Sequence, residues 1–156
     1  MTHSEELVDF VSKATLADLR VVEMSATAEG VGDADTFEIR FDATSRVRED
    51  ASDLSVEYRV RSVVEVWDHA RSPLLKVTST WGATFRFADN PISTDEAVRS
   101  EFQSAVVIMT VYPYIRELVQ STCARFGLPG VVLPLVKASE LERVDLAPED
   151  ATPVEA

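Results

Sequence analysis

The chain has one cysteine, Cys123, in 156 residues. An internal disulfide is therefore excluded, and nothing points to an oxidising compartment. Histidine is almost as scarce. His3 and His69 stand far apart with no cysteine beside either, which removes the clustered ligand spacing that a zinc site needs. His69 lies in the polar turn "WDHARS" and reads as a solvated side chain. Basic residues are few: 15 Lys and Arg against 27 Asp and Glu leave a formal net charge of -12. That balance argues against nucleic acid and against an anionic membrane surface, both of which need clustered cations.

Long apolar runs are missing too. No stretch approaches the roughly 18 apolar residues of a membrane span. The opening "MTHSEELVDF" has no basic segment followed by an apolar run, so no signal peptide is expected and the cytoplasm is the expected compartment. There is no Gly-rich phosphate loop behind a strand. Carboxylates are plentiful, yet they fall on the polar faces of strands and in the C-terminal tail, where nothing raises their pKa toward general-acid work. Cys123 sits on an apolar helical stripe and reads as a small core residue, with Arg125 alone a weak activating partner. No catalytic residue, metal ligand or cofactor is assigned, and the chain is not read as an enzyme.

What is present is a hydrophobic content of 46% on a length that suits one domain. Residues 4–14 read as a short helix, capped by Ser4, with Glu5 and Glu6 at the positive end of its dipole and Leu7, Phe10 and Val11 on one face. A first strand is expected over 19–27, and the polar "AEGVGDAD" then reads as a loop. Three segments alternate with a period of two. "TFEIRFDAT" sets Phe37, Ile39 and Phe41 against Glu38, Arg40 and Asp42. "LSVEYRVRSVVEVW" sets Val56, Tyr58 and Val60 against Glu57, Arg59 and Arg61. "LLKVTSTWGATFRF" sets Val77, Trp81 and Phe85 against Lys76, Thr78 and Arg86. Each has one wet face, the mark of an antiparallel sheet, and "DHARSP" supports a hairpin between the last two.

After "ADNPIST" the period becomes helical, with Thr94 as N-cap and Asp95 and Glu96 behind it. Ala97, Phe102, Ala105, Met109 and Tyr112 form a stripe that continues through Ile115, Val119, Cys123 and Phe126. Pro113 is expected to bend or divide this helix near Thr110, and Gly127 with Pro129 to end it. The run "AVVIMTVY" is apolar nearly all round. Either a partner subunit covers Val106, Val107, Ile108, Met109 and Val111, or the β-branched run is a buried strand. Beyond the helix, "GLPGVVLPLV" is barred from helix and central strand by its prolines. Val131, Val132, Leu133, Leu135 and Val136 therefore lie in extended chain and either cap the core or line an apolar groove. "ASELERV" has room for a short amphipathic helix at most, and the acidic "DLAPEDATPVEA" reads as a disordered tail. The expected organisation is one domain over 1–144 and a tail over 145–156.

In this order the elements resemble the SecB family of protein-export chaperones. The resemblance rests on "YPYIRELVQSTCARFG" and "LPGVVLPLV", through Tyr112, Pro113, Tyr114, Arg116, Glu117, Leu128, Pro129, Leu133 and Val136. It extends more faintly over about 19–141. It implies an α+β fold, a four-stranded antiparallel sheet packed against a long main helix with short N- and C-terminal helices. It also implies a dimer of dimers in the cytoplasm, with the main helices between sheets. Phe37, Ile39, Phe41, Phe126, Leu128, Val132, Leu135, Val136 and Leu141 would line a groove for unfolded polypeptide, held without ATP. The client would be preproteins for export or, as in a toxin–antitoxin-associated branch, a dedicated antitoxin. The tail has no Cys or His, so the family's zinc tail is not expected. Of the acidic positions that meet the motor SecA, Glu29 remains while others fall near Ser25 and Lys76, which leaves that docking open. Two rival readings use the same residues: a monomeric carrier of a small hydrophobic ligand, and a structural interaction subunit with no groove.

Overall fold

A computed structural model describes residues 1–47, 54–91 and 94–134. The chain opens with α1 (His3–Ser12), followed by four strands: β1 (Ala14–Ala28), β2 (Thr36–Val47), β3 (Ser55–Trp67) and β4 (Pro73–Phe87). A long helical arm closes it: α2 (Glu96–Glu101), a π-helical turn (Phe102–Val107) and α3 (Ile108–Arg125). The strands form one antiparallel sheet in the order β1-β4-β3-β2, so β1 and β2 are the two edges. This is the expected α+β arrangement of a four-stranded sheet against a main helix. The expected C-terminal helix and the tail lie outside the described residues.

The hairpin between β3 and β4 forms as the sequence predicts. Asp68 Oδ1 accepts hydrogen bonds from the backbone of Ala70 and Ser72, both at 2.9 Å, and Arg71 takes the left-handed turn at φ 59°. The connection from β1 to β2 then crosses from one edge of the sheet to the other above this hairpin. Glu29 N–H bonds to Leu74 O and Asp35 N–H to Trp67 O, each at 2.9 Å. Gly30 is required in that crossing, because a Cβ there would stand 2.7 Å from the carbonyl oxygen of Pro73.

Register sorts the side chains by face. Val56, Tyr58, Val60, Val64 and Val66 of β3 and Leu75, Val77, Trp81, Ala83 and Phe85 of β4 turn to the helical arm and are buried. The reverse face carries ion pairs, including Arg59 with Glu57 at 2.5 Å and Arg40 with Glu65 at 3.3 Å. At the α2 end, Phe102 sits in a nest of rings, with centroids 5.1 Å from Phe10, 5.3 Å from Phe85, 5.7 Å from Phe87 and 5.8 Å from Tyr58. Edge-to-face and tilted contacts of this kind add to the area that the rings bury.

Several local expectations change. The N-cap of α1 is Thr2, not Ser4: Thr2 and Glu5 make a reciprocal capping box two residues earlier. Asp95, not Thr94, caps α2, accepting from Ala97 N–H at 2.7 Å. β1 begins at Ala14 rather than Leu19, and its register slips between Leu16 and Asp18 and between Val21 and Glu23. Those bulges break the alternation that the eye follows. The inward stripe of the helical arm is Val98, Phe102, Val107, Val111, Ile115, Val119 and Cys123, all fully buried. Every step is four residues except Phe102 to Val107, which is five, and the π-helical turn occupies that step. An α-helix would turn five residues through about 500°, leaving Val107 well off the face of Phe102; a π turn, which closes i→i+5 and holds more residues per turn, brings it back. The stripe expected through Ala97, Ala105 and Met109 assumed a uniform 3.6 period; Ala97 is exposed and Ala105 and Met109 are only partly covered. "AVVIMTVY" is helical, not a strand, and α3 runs unbroken through the exposed Pro113, with Thr110 Oγ1 donating to Val106 O at 2.7 Å.

Candidate functional site

The candidate site lies where the apolar face of β2 meets the far half of α3. Pairing of Phe37 with Val66, Ile39 with Val64 and Phe41 with Ser62 puts all three β2 side chains on the helix-facing side. They are not equally open. Phe41 is 4% exposed, its ring edge-on to Tyr112 at 5.8 Å; Ile39 is partly covered; Phe37, toward the open end, is 36% exposed. Phe41 is therefore the floor of any groove here, not its wall.

The other side is built by the end of α3. Gly127, at φ 81°, ends the helix in a Schellman motif: Gly127 N–H bonds to Ala124 O at 3.2 Å and Leu128 N–H to Cys123 O at 2.8 Å. The motif turns Leu128 inward onto buried Cys123, so Leu128 belongs to the core. Burial also pushes the Cys123 thiol up from its ordinary value, which leaves it a protonated packing group. Pro129 and Gly130 then form a turn, with Val131 N–H bonded to Leu128 O at 3.3 Å, and the chain leaves it without regular secondary structure. Val131 and Leu133 point in and are buried, while Val132 points out at 43% exposure, and Phe126 just before the turn is 44% exposed.

Two side chains hold this segment in place. Arg116 Nε donates to the carbonyl of Leu133 at 2.7 Å, and the Tyr112 hydroxyl donates to the carbonyl of Pro134 at 2.5 Å. Residues four apart share a face of a helix, so Tyr112 and Arg116 act together as a clamp. Burial pushes the Tyr112 phenol up, against the pull of the Arg116 charge, so the hydroxyl keeps its proton. Tyr112 thus touches both sides at once, Phe41 through its ring and the exit segment through its oxygen. This gives physical roles to the "YPYIRE" run. Tyr112 and Arg116 clamp, Tyr114 lies over Trp81 with centroids 5.9 Å apart, and Ile115 fills the core. The clamp was missed in the sequence, although the four-residue spacing was in view. An open groove of about 370 Å³ also runs along the outer side of α3 below Pro129, between Arg116, Gln120 and Ala124.

Of the proposed groove residues, then, Phe37, Ile39, Phe126 and Val132 have surface to offer, while Phe41 and Leu128 are buried. Leu135, Val136 and Leu141 lie outside the described residues. The residues expected at a subunit interface divide as well. Val107, Ile108 and Val111 are buried by the chain's own sheet and α2 arm, because the π turn rotates them inward; only Val106 and Met109 remain partly open. Further exposed apolar side chains, not foreseen, follow the β1 edge at Leu16, Val21, Val22 and Met24. His69 is fully solvated beside Asp35, and His3 pairs with Glu101 across to the helical arm. Among the described residues, no helix is long and apolar enough to cross a membrane.

No protein-family model matches the chain. It is 28% identical over 150 residues to the SecB-like chaperone SmegB of Mycolicibacterium smegmatis, covering 94% of this chain and 93% of that protein. Its fold matches that of Rv1957, a SecB-like chaperone of Mycobacterium tuberculosis solved in complex with a ChAD peptide from the HigA1 antitoxin. That match has a TM-score of 0.69 at 18% identity, over 81% of this chain and 93% of the other. The resemblance seen in the sequence thus holds along nearly the whole chain.

Proposed function

From this SecB-like sequence and fold, we propose that the protein is an ATP-independent chaperone, not an enzyme, that holds unfolded polypeptide. The observation that carries the reading is the unequal covering of one apolar face. The same strand row passes from closed core at Phe41 to open surface at Phe37, and Phe126 and Val132 present further apolar surface beyond the clamp. A trough of this kind selects apolar, extended chain with little demand on sequence. Binding the unfolded state alone holds it back by mass action, with no energy source.

The client that fits best is an aggregation-prone antitoxin segment, on the analogy of the mycobacterial protein solved with such a peptide. Preproteins for export are the second candidate. We further propose a homo-oligomer in the cytoplasm, in which Val106, Met109 and Tyr114 and the β1 residues Leu16, Val21 and Met24 meet sister chains. Docking to SecA is not part of the proposal. Lys76, near one of the positions where the resemblance would put an acidic residue, lies 3.9 Å from Glu65, which also pairs with Arg40 at 3.3 Å.

The test is suppression of aggregation of a chemically unfolded model protein without nucleotide. Wild type is expected to suppress it, and Phe37→Asp with Val132→Asp to lose that activity while circular dichroism stays native. Equal protection by the double variant means that the client lies elsewhere. A monomer by light scattering that ignores unfolded protein would instead favour the small-ligand carrier.

A further inference from the structure

At the opposite end of β2 from Phe37, a cavity of about 210 Å³ opens between α2 and the start of β3. Its lining includes Arg99 and Ser100 of α2, Ser45 of β2, and Val56 and Tyr58 of β3. The Nε of Arg99 is buried and has no hydrogen-bond partner among the described residues. Buried donors are almost always paired, and a charged one most of all, so a missing acceptor here is informative. Beside it, burial pushes the Tyr58 phenol up to about 12 even against the pull of Arg99. That hydroxyl therefore remains an O–H donor at neutral pH. Ser45 and Ser100 share the lining.

We propose that this cavity binds a carboxylate group, taken by the Arg99 guanidinium with Tyr58 as a second donor. A guanidinium edge matches the two oxygens of a carboxylate. Val56 and the Tyr58 ring give an apolar wall for a short carbon body, and the volume suits an acid of a few carbons or the side chain of Asp or Glu. Glu96, exposed but also on the lining, disfavours a doubly charged phosphate. The carboxylate has two possible sources. One is a small free acid. The other is an acidic residue of a bound polypeptide, and this source rests on the chaperone reading above. Ser45 stands four residues beyond Phe41 on the same strand face, about 13 Å along it, within reach of an extended chain lying on that row.

The full chain is titrated with sodium acetate and sodium succinate at constant ionic strength, following the Arg99 and Ser100 amides and the Arg side-chain signals by NMR. Saturable shifts are expected, weakened at least about ten-fold in Arg99→Gln and several-fold in Tyr58→Phe, with Arg99→Lys between. No saturation with either acid in wild type overturns the proposal, and so does tighter binding of inorganic phosphate. Saturation that emerges only after Glu49, Asp50 and Asp53 are changed to their amides also overturns it, because the chain then fills its own cavity. In a second arm, unfolded peptides differing only in Glu against Gln are compared. A Glu preference that vanishes in Arg99→Gln assigns the carboxylate to the polypeptide. Acid binding without a Glu preference assigns it to a free acid and leaves the chaperone reading to be judged separately.

Discussion

The helix-facing side of the sheet is sealed at one end and open along its β2 edge at the other. At the sealed end, Phe102 drops into the rings of Phe10, Tyr58, Phe85 and Phe87, and α1 folds over the top. At the other end, β3 and β4 stay covered at Val66 and Leu75, but edge strand β2 carries Phe37 out to 36% exposure, and Phe126 and Val132 beyond the helix are exposed. The alternation of the strands is alike at both ends. The difference lies in what is laid above them: a helix with large aromatic side chains, or an irregular segment held by two hydrogen bonds. The aromatic cluster lies at the first end and the proposed binding surface at the second, so each should be open to perturbation without the other.

The largest effect expected is at the sealed end. Phe102→Ala removes the ring that four others surround and should cost about 3–5 kcal/mol, read by urea denaturation. At a temperature where the variant stays folded, its affinity for unfolded polypeptide should be unchanged. A parallel loss of affinity would mean that the two ends are one unit.

Next comes pH. Tyr58 is raised from its ordinary 10 to about 12 because burial disfavours the phenolate. The folded state therefore keeps a proton that the unfolded state has already lost between those values. Stability is fully present below about pH 10 and falls as pH rises toward 12, by about 3 kcal/mol at most for this group. In Tyr58→Phe this part of the decline should disappear from the denaturation profile.

The smallest effect on stability, and the one that should reach binding, is at the clamp. Arg116→Ala frees the Leu133 carbonyl and should cost about 1–2 kcal/mol. Amide exchange at Val131 and Leu133 should quicken, and polypeptide affinity should fall, with Arg116→Lys partly restoring both. Unchanged affinity with quickened exchange would separate the exit segment from the binding surface.

How much of this was legible in the sequence follows from local regularity. β2, β3 and β4 were plain because each keeps an unbroken period of two against one covered face. The start of β1 was not, because bulges at Ala17 and Val22 shift the pattern and its edge leaves Leu16 and Val21 half in water. Along the proposed groove, exposure was half legible. Phe37 and Val132 were named and are open, but Phe41 and Leu128 were named and are covered, one by Tyr112 and one by the Schellman turn. Hydrophobicity states that a side chain avoids water without stating what will cover it. The same gap explains Val107, Ile108 and Val111, assigned to a partner and in fact covered by their own chain.

The five-residue step from Phe102 to Val107 has a bearing on how this arm tolerates change. On either side, the contacts of the arm repeat every four residues, like the teeth of two matched gears, and one spare tooth is taken up between them. Losing a residue from 103–106 would return the winding to an even pitch with both toothed stretches still engaged, whereas the same loss anywhere from Val111 to Cys123 would throw one stretch out of mesh. Length variation in this arm is therefore absorbed at a single place.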